Sequence, residues 1–126
     1  MTYDPHPDGR PDPGEIVWTW VPYEDDPEQG KDRPVLVVAR EGDELVGLMM
    51  TSKDHDRDEA QEARAGRFWH DLGSGPWDSR GRPSEVRVNR FLRIDPETVR
   101  REGAVLDRAR FEAVVEAAAP HAGGRR

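Results

Sequence analysis

The stretch from Gly14 to Val38 constrains the fold most, because its pattern is that of two strands joined by a polar loop. In Glu15 to Val21, Val17, Thr19 and Val21 alternate with Ile16, Trp18 and Trp20, so β-favouring groups line both faces and the strand must be covered on both sides. Pro22 ends it. Tyr23 to Asp32 is acidic and punctuated by Pro27 and Gly30, the composition of a solvated connector. Arg33-Pro34 then opens Val35-Leu36-Val37-Val38, a buried strand whose proline stands at the first position, where a missing N–H is tolerated. Trp18 and Trp20 have the chemistry of a base-stacking platform. At spacing two inside a strand, however, such residues are more often part of a core or a dimer interface.

A chain of 126 residues supports one domain, and with 34% hydrophobic against 36% charged residues its core must be small. The net charge of -7 argues against a broad phosphate-binding face, so any contact with nucleic acid has to be local. Cysteine is absent, which excludes disulfides, thiolate metal sites and cysteine nucleophiles. With no apolar run of membrane-spanning length and no apolar leader, the expectation is a cytoplasmic protein without a membrane partner.

Residues 1–13 carry Pro5, Pro7, Pro11 and Pro13 and are expected to be a disordered arm, with His6 solvated within it. The folded domain should span residues 14–119, and residues 120–126 a flexible tail. After Val38, the turn Glu41 to Glu44 and the run Leu45 to Met50 complete a hairpin closed by Thr51-Ser52. Antiparallel pairing sets the start of one strand beside the end of the other, so Arg33 and Thr51 come together as a guanidinium and a hydroxyl fit to clamp a phosphate.

Further on, Asp54 to Arg67 reads as a charged stretch with a short surface helix at Glu59 to Ala65; His55 between Asp54 and Asp56 reads as solvated rather than as a metal ligand. Phe68 to Leu72 is a short strand. In the turn-rich loop Gly73 to Pro83, Trp77 near Arg80 and Arg82 is suited either to stack a base or to plug the fold. Ser84 to Ile94 alternates as a long strand carrying Arg87, Asn89, Arg90 and Arg93, the densest positive region of an acidic protein. Asp95-Pro96 starts a one-turn helix that runs out at Gly103. Asp107 caps a last helix, with Phe111, Val114, Val115 and Ala118 at helical spacing and Pro120 as its stop.

In order and spacing, several of these segments resemble the MazF/PemK (Kid) family of toxin endoribonucleases of type II toxin-antitoxin systems. They are the opening Gly14-Glu15-Ile16-Val17-Trp18, Glu28-Gln29-Gly30 leading into Arg33-Pro34, Thr51-Ser52, and Val86-Arg87-Val88-Asn89 to Ile94-Asp95. The resemblance implies a mainly β fold, a small SH3-like barrel of strongly bent antiparallel strands with a C-terminal helix, assembled as a homodimer. It also implies metal-independent, sequence-selective cleavage of single-stranded RNA, no cofactor, and a cognate antitoxin as partner. Arg33 and Thr51 match the catalytic arginine and threonine, and Glu28 matches an acidic loop residue. Ser52, Arg87, Asn89, Trp77 and Arg82 are the expected substrate-binding residues.

Metal-free cleavage needs a base for the ribose 2′-hydroxyl, a cation for the phosphorane charge and a proton for the leaving oxygen. Within the resemblance, Glu28 is the base, Arg33 the clamp and Thr51 the positioner. Asn89 departs from the family, since it stands where the PemK branch has an aspartate and an amide cannot act as a carboxylate base. Two other readings share the fold: a catalytically silent binding module, and a CcdB-type gyrase-binding toxin, against which the tail from Pro120 counts because it lacks tryptophan. The loop Tyr23 to Asp32 becomes the expected lid over the site.

Overall fold

The computed structural model describes residues 1–6, 11–52, 59–99 and 101–122. Its centre is the expected hairpin, β2 (Gly30–Glu41) and β3 (Glu44–Ser52). Gly42, with φ of +62°, makes the left-handed turn between them. Leu36 and Val38 point to one face of β2 and Val35 and Val37 to the other, and all four are fully buried, which is why this strand reads as continuously apolar.

β1 (Glu15–Pro22) pairs antiparallel with β2, from Ile16 opposite Leu36 to Pro22 opposite Gly30. On the other side of the hairpin lies β5 (Ser84–Ile94), flanked by the edge strand β4 (Trp69–Gly73); β6 (Arg101–Val105) forms the opposite edge, against β1. The six strands run in the order β4-β5-β3-β2-β1-β6, and register shifts within four of the five pairings curl the sheet into a half-barrel. The fold class expected from the sequence is therefore present: mainly β, strongly bent, with a C-terminal helix. Helix α1 (Glu59–Arg64) is the short surface helix.

Helix α2 (Arg108–Ala122) starts where expected, with the Asp107 carboxylate accepting from the Arg110 amide at 3.0 Å. Phe111, Val114 and Ala118 press against Ile16, Leu36, Val86 and Val88, forming the larger core under one face of the sheet. A second, smaller core of Val17, Val21, Val35, Val37, Leu45, Met49 and Ile94 fills the other face. Pro120 lies inside α2 instead of stopping it. So close to the helix end, a proline forfeits one backbone bond without disrupting the turns before it.

Two further expectations change. The helix expected to run out at Gly103 covers only Pro96–Thr98, and Arg101–Val105 is a strand, because pairing with β1 supplies the partners that its own sequence pattern does not advertise. Trp20 is half exposed rather than covered, since the face of β1 that it shares with Ile16 runs past the edge of the larger core.

The N-terminal arm is docked over its described residues. Thr2 donates its amide to the Val38 carbonyl at 3.1 Å, and the Tyr3 hydroxyl donates to the Leu106 carbonyl at 2.6 Å, with the Tyr3 ring 5.1 Å from that of Phe111. Asp12 is buried and paired with Arg40. A composition argument averages over thirteen residues and misses a single aromatic anchor. Replacing Tyr3 by Ala should lower the free energy of unfolding by about 2 kcal/mol, from the lost ring packing and hydrogen bond. A denaturant midpoint identical to that of the parent protein would show that the arm contributes nothing.

Candidate functional site

A mismatch between two strands opens the site. Leu48 pairs with Phe91 and Met50 with Val86, so between these pairs Met49 of β3 faces four residues of β5, Arg87 to Arg90. Deprived of β3, this part of β5 turns to β4: Trp69 pairs with Arg87, and the Val88 amide donates to the Phe68 carbonyl at 3.0 Å. The gap left beside Met49 is a cavity of about 400 Å³ on the face of the smaller core. Arg33 and Thr51 from the hairpin, Arg87 and Arg90 from β5, Arg67 from the approach to β4, Trp69 from its start, and Glu24 from the β1–β2 loop all reach it.

Arg33 and Thr51 lie two residues beyond the Val35–Met49 pair, one on each strand. Arg33 Nη1 donates to Thr51 Oγ1 at 3.2 Å, and both side chains are half-buried. A smaller groove of about 190 Å³ borders the same two residues, with Ser52 and Arg82 on its wall. The pair therefore stands between two clefts, one rich in arginine and one narrower.

Arg87 is 4% exposed, and its charge has to be met by neighbours. Nη1 and Nη2 donate to the two Glu24 oxygens at 2.9 and 3.1 Å, while Nε donates to Asn89 Oδ1 at 2.5 Å. Asn89 also accepts from the Phe68 amide at 3.1 Å and donates to the Gly66 carbonyl at 2.6 Å. The Asn89 amide thus ties β5 to the segment before β4, a task needing a donor and an acceptor at once. Arg90 donates to the Pro22 carbonyl at 2.9 Å, and burial pulls its pKa below the usual guanidinium value. The hydrogen bond from Arg87 holds the Glu24 carboxyl below its ordinary range, against the opposing effect of burial.

The other sequence-derived residues separate. Glu28 sits exposed on the turn of the β1–β2 loop and does not line the cavity, whereas Glu24 of the same loop does. Trp77 is a plug, 2% exposed, its indole N–H donating to Ser84 Oγ at 3.0 Å, so a base cannot stack on an exposed ring there. Gly75 packs over that ring so closely that a Cβ would fall 2.1 Å from it. Arg82 Nε donates to Asp78 at 2.9 Å. His121, without an evident partner in the sequence, stacks on Phe68 at 5.3 Å. His55 lies outside the described residues, among which no three His, Asp or Glu side chains are grouped as metal ligands and no helix is long and apolar enough to cross a membrane. Sequence reasoning missed Glu24, Arg67 and Trp69, which carry no local signal separating them from surface residues.

The lowered pKa of Glu24 fixes the sign of a pH effect. Its pairing with Arg87 contributes fully above the ordinary carboxyl value of 4.5 and is lost as pH falls through the depressed folded value. A carboxyl-carbon NMR titration should give Glu24 a midpoint below 4.5, and Arg87→Lys should move it back towards 4.5. A midpoint at or above 4.5 in the parent protein would dismiss the pairing in solution.

Comparison with known proteins gives the family and the fold. The model of the PemK-like, MazF-like toxin of type II toxin-antitoxin system matches residues 12–121. No curated protein matches significantly. Among solved structures, the chain is similar to an endoribonuclease in complex with its cognate antitoxin from a mycobacterial species, with 13% identity, a TM-score of 0.62, and 90% of this chain and 95% of that chain covered. It is also similar to the Mycobacterium tuberculosis toxin MazF-mt6, with 19% identity, a TM-score of 0.54, and coverage of 86% and 96%. At these identities the structures speak for the fold, while the family match extends over all six strands and nearly the whole of α2. The chain belongs to the PemK-like, MazF-like family of type II toxin-antitoxin toxins.

Proposed function

We propose that this protein is a metal-independent endoribonuclease that cuts single-stranded RNA at selected sequences, the toxin of a pair with its own antitoxin, acting as a homodimer in the cytoplasm. The observation that carries the reading is the Arg33–Thr51 hydrogen bond, set between two clefts and next to Arg87 and Arg90. A phosphodiester at this point has a guanidinium to meet the phosphorane charge and a hydroxyl to orient a non-bridging oxygen. The 2′-oxygen forms its bond to phosphorus as the bond to the 5′-oxygen breaks. The 2′-hydroxyl proton goes to the base and water protonates the leaving oxygen. Glu28 takes the role of base once the β1–β2 loop closes over bound RNA, because in the free protein it stands outside the cavity. Ser52 and Arg82 flank the groove that carries the chain onward.

Asn89 favours a second reading, a silent binding module, because its amide is committed to Arg87, Phe68 and Gly66 and offers no base. Cleavage of a long single-stranded RNA, with and without chelator, separates the two. Site-selective cuts that survive chelator and fall by about 100-fold or more in both Arg33→Ala and Thr51→Ala would match the loss of charge-stabilising donors. Wild-type rates in Arg33→Ala would overturn the assignment, and intact RNA with the parent protein would favour the silent module.

A further inference from the structure

Arg87 and Glu24 are not matched in burial. The guanidinium side chain is 4% exposed and the carboxylate side chain 52%, so the anion sits at the mouth of the cavity and the cation in its wall. Asn89 grips Nε from behind at 2.5 Å, which leaves the outward edge, Nη1 and Nη2, to be bridged by the two Glu24 oxygens. That edge binds two oxygens of a phosphate with the same fork geometry. Arg90 and Arg67 line the same cavity and also act electrostatically on Glu24.

We infer that Glu24 is an internal stand-in for an RNA phosphate, occupying an anion subsite on Arg87 beside Arg33 and Thr51, so that the free protein obstructs its own cleft. The identity of the anion rests on the ribonuclease reading; the obstruction itself rests on the geometry. A nucleic-acid phosphate entering the cavity displaces Glu24, whose exposed pairing is screened and weak. Arg87 stays in place, since it is held by Asn89. The loop also keeps its form without the pair, through Tyr23 N to Gln29 O at 2.8 Å and Gln29 N to Asp26 O at 3.0 Å. The same residue that completes the charge balance of the free protein thereby sets a threshold for its substrate.

Two variants and two readouts test this. A fluorescent single-stranded DNA oligonucleotide presents the phosphates but lacks the 2′-hydroxyl, so it reports binding without cleavage. Glu24→Gln removes the charge and keeps the shape; Asp25→Asn removes a neighbouring charge from the same cavity without touching the fork. The expected result is tighter binding by Glu24→Gln, about five- to ten-fold, with about two-fold or less for Asp25→Asn, and unfolding midpoints close to the parent in both. With single-stranded RNA, Glu24→Gln should lower KM. Equal gains in the two variants would reduce the effect to net charge and overturn the inference, as would unchanged or weaker binding by Glu24→Gln. Tighter oligonucleotide binding by Glu24→Gln with no RNA cut by any form would keep the obstruction and reject the ribonuclease reading.

Discussion

A buried guanidinium governs the architecture of the site. Removing an arginine from water costs several kcal/mol unless its donors are met, and Arg87 is met by three separate parts of the chain. Glu24 comes from the loop between β1 and β2, Gly66 from the turn after α1, and Asn89 from β5 itself. The contacts with Gly66 and Asn89 set how the segment before β4 approaches the sheet and hold Arg87 in the wall of the cavity, while Glu24 meets its outward edge. An apolar residue at this position would leave Glu24 without its partner and the amide of Asn89 without one of its roles.

The geometry that makes such burial possible is the stretch of β5 that outruns β3. Four residues opposite one cannot all be paired, so β5 leaves the hairpin and is caught by β4. Met49 is left lining the gap, which its flexible side chain fills only in part. The cavity is therefore a packing consequence of strand register, and its electropositive wall follows from the alternation that sends Val86 and Val88 to the helix side and Arg87 and Asn89 to the other. An acidic protein thereby concentrates positive charge in one recess, which reconciles a net charge of -7 with a site for an anion.

Much of this was legible beforehand. The hairpin could be read because Val35 to Val38 and Leu45 to Met50 are apolar runs bounded by a turn, and antiparallel geometry then brings Arg33 to Thr51 without further information. The helix α2 was readable from Phe111, Val114 and Ala118. The arm was not, since Tyr3 gains its meaning only from Leu106 and Phe111, a hundred residues away. Nor was the fate of Trp77, because burial depends on how a turn-rich loop folds back over Ser84. β6 escaped for a similar reason: an edge strand is defined by its neighbour as much as by its own residues.

The sequence by itself determined the β2–β3 hairpin and helix α2, the two-sided burial of β2 and the meeting of Arg33 with Thr51, because those depend on side-chain periodicity and on pairing between neighbours in the chain. Only the tertiary structure decided that Glu24, and not Glu28, faces the cavity, that Asn89 braces Arg87, and that Trp77 is core. Each of those outcomes depends on register between segments tens of residues apart, where one residue of slip would turn every side chain to the opposite face. Gly14 to Val38 supplies one wall of the site, and the bulge of β5 supplies the other.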